Sequence, residues 1–71
     1  MIITVKLEGY KNGEWKTRKK VTDSLDHEAD LIKSVLKSYA QLRAIHQDDL
    51  YCLKSELYDD IQLRRSEVFD L

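Results

Sequence analysis

Seventy-one residues make one domain, close to the lower limit at which a single core folds without staples. One cysteine excludes an intrachain disulfide framework, and no run approaches the roughly 18 to 20 apolar residues of a membrane-spanning helix. Net charge is −1, but the signs are segregated: residues 1–22 carry six basic and two acidic side chains, residues 23–71 six basic and eleven acidic.

Proline is absent and both glycines fall in the first 13 residues, so few breakers interrupt regular structure. A single domain over 1–71 is expected, with no linker, low-complexity tract or internal repeat of useful length. The opening Met-Ile-Ile-Thr-Val-Lys mixes polar with apolar positions and does not read as a secretory leader. A soluble cytoplasmic protein is expected, with no membrane partner.

From Ile3 the chain alternates with period two, Ile3, Val5 and Leu7 on one side and Thr4, Lys6 and Glu8 on the other. Asn12-Gly13 marks a reversal and residues 14–22 a return strand. A two-residue loop would set Leu7 against Arg18 and Val5 against Lys20, placing charge in the apolar layer. A three-residue Lys11-Asn12-Gly13 loop with a bulge at Gly13 sets Leu7 against Thr17, Val5 against Lys19 and Ile3 against Val21. That register buries Ile3, Val5, Leu7, Trp15 and Val21. It leaves Thr4, Lys6, Glu8, Tyr10, Glu14, Lys16, Arg18 and Lys20 on the outer face.

Asp23 or Ser24 caps a first helix, whose acidic opening suits a helix N-terminus. Apolar residues at 25, 29, 32, 36 and 39 follow helical spacing, and a second set at 31, 35, 42 and 45 widens the stripe. Leu50, Leu53, Leu57, Ile61 and Val68 continue at similar spacing into a second helix, capped by Asp48 or Asp49. The expected fold is α+β, an N-terminal β-hairpin (about 2–8 and 14–22) packed on two C-terminal helices (about 24–46 and 49–69), in the order ββαα. The stripe stays in phase across residues 43–49, which admits an alternative: one helix of about 68 Å at 1.5 Å per residue, paired with a second chain. Leu63, Phe69 and Leu71 keep the terminus apolar, so the tail should dock. A two-stranded hairpin with open edges beside so much apolar helix favours a homodimer.

The search for chemistry is negative. Cys52 has acidic neighbours in Asp48, Asp49 and Glu56 and no histidine nearer than His46, which is the wrong setting for a thiolate. "DHEAD", residues 26–30, places Leu31 where a zinc helix needs its second histidine, so it reads as a solvated acidic turn. Neither a phosphate loop nor a nucleophile elbow is present. No enzyme activity, cofactor or metal is expected.

Two functions remain. The first is a small non-enzymatic protein-binding module, of the kind frequent among phage and mobile-element accessory or inhibitor proteins, with Glu56, Asp59 and Asp60 as an acidic partner surface. Its partner is another protein or a second copy of itself. The alternative is nucleic-acid binding by the hairpin's outer face through Lys6, Lys16, Arg18 and Lys20, with Tyr10 stacking on a base. A pI near 6.1 argues against the alternative.

Overall fold

A computed structural model describes all residues, Met1–Leu71. The chain runs β1 (Ile2–Lys11), β2 (Glu14–Ser24), one 3₁₀ turn (Leu25–His27), α1 (Glu28–His46), β3 (Leu50–Asp59) and β4 (Gln62–Asp70). The strands form one antiparallel sheet in the order β2-β1-β3-β4, with α1 lying across one face. No helix is long and apolar enough to cross a membrane.

The first helix forms where its periodicity places it. Ser24 Oγ accepts from the Asp26 amide at the 3₁₀ turn, and Gln47 closes α1 in the left-handed conformation, its amide donating to the Arg43 carbonyl at 3.2 Å. The expected second helix, and with it the ββαα order, is wrong: residues 50–70 form a second hairpin, giving ββαββ. The single-rod alternative fails too, because the molecule measures 34 × 23 × 15 Å.

The reason lies in a competing period. Tyr51, Leu53, Ser55 and Leu57 alternate onto the helix-facing side, and the first core strand, with Ile3, Val5 and Leu7, offers them a ladder. Ser55 breaks the apolar run in the sequence but is only 2% exposed, because its hydroxyl donates to Glu28 Oε2 at 3.1 Å. The core is Ile3, Val5, Leu7, Val35, Tyr51, Leu53 and Leu57, bordered by Val21, Leu25, Leu31, Ile32, Tyr39 and Leu42.

A five-residue pattern recurs between the two hairpins. Lys-x-Glu-x-Tyr occurs at Lys6–Tyr10 and again at Lys54–Tyr58. Lys6 is the direct cross-strand partner of Lys54, so a pseudo-two-fold axis normal to the sheet carries one motif onto the other. Each hairpin then turns on a residue of positive φ, Asn12 at 54° and Asp60 at 55°.

The register of the first hairpin needs correcting as well. Its loop has two residues, Asn12 and Gly13, both left-handed, between the paired Lys11 and Glu14. The bulge sits within β2 at Arg18, where the register shifts between Leu7 and Glu8, rather than at the turn. Leu7 therefore faces Lys19, Val5 faces Val21 and Ile3 faces Asp23. The apolar layer is kept, but the residues between bulge and turn change sides. Trp15, expected in the core, pairs with Tyr10 on the outer face and is 47% exposed.

Candidate functional site

The bulge divides the predicted basic face. Lys6, Tyr10 and Lys20 remain on the outer face, whereas Lys16, opposite Gly9, and Arg18 at the bulge turn to the helix side. Tyr10 is occupied by Trp15, the ring centroids 5.2 Å apart. Lys6 Nζ lies 2.7 Å from Glu56 Oε1, at an angle poor for a directed hydrogen bond, so attraction between full charges compensates that buried oxygen. The Glu56 carboxylate holds the Lys6 ammonium above its ordinary pKa. Lys54 and Glu8 form the pseudo-symmetric but longer pair at 3.9 Å.

The acidic trio is not one surface. Glu56 belongs to the outer sheet face beside Lys6, Asp59 ends β3 and pairs with Arg64 at 3.2 Å, and Asp60 forms the turn. Cys52 lies in the central strand β3, not on a helix, and burial pushes its thiol pKa up, leaving the unreactive thiol.

Arg18 instead enters a structural latch at the end of α1. Its Nε and Nη2 donate to Asp48 Oδ2 and Oδ1 at 2.8 and 2.7 Å, a bidentate fork. The Asp48 side chain is wholly buried, and the Arg18 guanidinium holds its carboxyl below the usual range. The carboxylate rests on Gly9, where a Cβ would collide with it. Lys11 Nζ donates to the His46 carbonyl at 3.1 Å, and the Asp49 amide to the Tyr10 carbonyl at 2.9 Å. The α1–β3 connection is thus clamped onto the first hairpin. Both Asp48 carboxylate oxygens are bonded within the chain, so the latch serves as scaffold.

The opposite flank is not self-contained. Between α1 and β4 runs a groove of about 290 Å³, lined only by Ile32, Leu36, Leu53, Phe69 and Leu71. Beside it β4 is a sheet edge, with no further strand to take its outward backbone groups. On the helix side of β4, Arg65 bonds Glu28 Oε2 and Glu67 Oε1, each at 2.9 Å, which gives the groove a charged end. The apolar tail does dock, though as a strand: the Leu71 amide donates to the Tyr51 carbonyl at 3.0 Å.

Ile32, Leu36 and Leu53 were legible as apolar stripe residues, but their placement beside an open edge was not. Phe69 and Leu71 alternating with Asp70, beside the β-branched Val68, were the local signal for a strand there. Set against protein-family models, curated proteins and solved structures, the chain matches none.

Proposed function

We propose that the chain is a non-enzymatic protein-binding module that works through its β4 flank. The carrying observation is the juxtaposition of an all-apolar groove with an unpaired sheet edge on one side of the molecule. Apolar surface supplies affinity and backbone groups supply alignment, the combination used in strand-addition recognition. Turnover would need converging polar groups, and the groove lining has none. An accessory or inhibitor role of the phage or mobile-element kind requires only such binding. A reducing cytoplasm is the proposed setting, compatible with the buried free thiol of Cys52.

Nucleic-acid binding has less support than protein binding. Of the five residues assigned to it, Arg18 is committed to Asp48, Lys6 to Glu56 and Tyr10 to Trp15, while Lys16 lies on the other face. The test is affinity capture from the native host with wild type, Leu36→Asp, Phe69→Asp and Lys20→Glu. A discrete protein lost with the two groove variants and kept with Lys20→Glu supports the reading. Loss with Lys20→Glu alone, or recovery of nucleic acid, overturns it.

A further inference from the structure

The two edges of the sheet are chemically unlike. β2 carries Lys16, Lys19 and Lys20, with Arg18 bound to Asp48 and acids only near its ends at Glu14 and Asp23, so its middle presents an excess of positive charge that repels another strand. β4 carries Arg64, Arg65, Glu67 and Asp70, which balance. Only the second edge admits a neighbour, and its sequence says which one.

An edge strand that pairs antiparallel with its own copy does so about a two-fold axis normal to the sheet. Opposed residues must share a face, so the axis passes through a single residue position. Centring on Arg65 or Glu67 opposes like charges. Centring on Val68 sets Glu67 against Phe69 and gives neither Arg65 nor Glu67 a charged partner in the second copy. Centring on Ser66 sets Arg65 against Glu67 of the second copy, and Glu67 against Arg65 of the second copy, all on the helix side. Charge complementarity therefore singles out one register.

We infer that the occupant of the β4 flank is a second copy of this chain, joined β4 to β4 about Ser66 into a continuous eight-stranded sheet. This rests on the reading of that flank as the binding surface and names its partner. Edge hydrogen bonds alone fall short of the roughly 1,000 Å² of a specific interface. Leu36, Phe69 and Leu71, 39%, 47% and 41% exposed along the same flank, add apolar area on both sides of the axis. Both copies keep α1 on the same face, so Arg65 and Glu67 of the two copies meet at the axis and the two apolar grooves flank that charged centre.

The experiment is sedimentation or light scattering of the purified chain, up to about 100 μM, beside three variants. Wild type should reach twice its 8.4 kDa chain mass. Ser66→Lys places two lysines on the axis, and Arg65→Glu and Glu67→Arg each oppose like charges twice. Each should weaken association roughly tenfold or more. Mixing Arg65→Glu with Glu67→Arg should restore a dimer, because every opposed pair in that heterodimer is then of opposite sign. Arg65→Glu also loses its Glu28 contact, so circular dichroism checks its fold, while exposed Ser66 keeps the test open regardless. Wild type monomeric throughout, or a dimer indifferent to Ser66→Lys and to mixing, overturns the inference. A monomer that still captures a foreign protein through the groove leaves the protein-binding reading standing; a dimer of this register that captures nothing supports self-association and removes the foreign partner.

Discussion

Gly9 shows how one absent methyl group lets three elements meet. Its open Cβ position admits the Asp48 carboxylate, which there accepts both donors of Arg18. Gly9→Ala must expel the carboxylate or move the strand, at a cost of about 1–3 kcal/mol, read as a lower urea midpoint with unchanged slope. The latch also sets a pH response. Asp48 titrates lower when folded than in the unfolded chain, so the unfolded state takes up the proton first as acid is added. The stability it contributes is complete above the unfolded carboxylate value of about 3.9 and disappears as pH falls through the lower folded value. Asp48→Asn should therefore be less stable at neutral pH and show a shallower acid limb in a pH series of melts. Asp23, whose pKa is lowered by the Ser24 amide and His27, acts with the same sign and remains as residual slope. An unchanged acid limb in Asp48→Asn would remove Asp48 from this account.

At the scale of elements, both hairpins and the helix end depend on left-handed residues, only one of them glycine. Gln47, at φ 51°, closes α1 with an exposed side chain, so Gln47→Gly should relieve strain and stabilise by about 0.5–1 kcal/mol, visible as a higher thermal midpoint. The same fact explains what could be read in advance. Asn12-Gly13 announces its turn, and the Leu25–Ile45 stripe announces its helix, because both signals are local. Asp60-Ile61 turns without glycine, and the helical spacing of Leu50, Leu53 and Leu57 masks the alternation of Tyr51, Leu53 and Leu57, which Ser55 interrupts. The repeated Lys-x-Glu-x-Tyr was the available clue that residues 50–63 copy the first hairpin. Bulge position was not legible, since moving the extra residue from Gly13 to Arg18 keeps Val21 on the core side. That ambiguity misplaced Trp15 and split the expected basic face, while the β4 flank became visible only once the sheet was complete.

For the molecule as a whole, the pseudo-two-fold arrangement creates two outer strands that sequence then treats differently. Without the charge run on β2, both edges would be open, and copies could add β2 to β4 without limit rather than close. The lysines need no partner to serve this purpose; they act against a neighbour that must stay away. Replacing Lys16, Lys19 and Lys20 together with Thr raises strand propensity and strips the repulsion, while leaving Arg18 to hold the latch. The fold should survive, because Lys16, Lys19 and Lys20 are all exposed. The triple variant should scatter light as species larger than two chains, growing with concentration, whereas single replacements should change little. High salt should move wild type in the same direction, since screening shortens the reach of the same charges. If the triple variant stays at the wild-type mass in low and high salt, charge on β2 is not what limits assembly, and closure must come from the shape of the sheet instead.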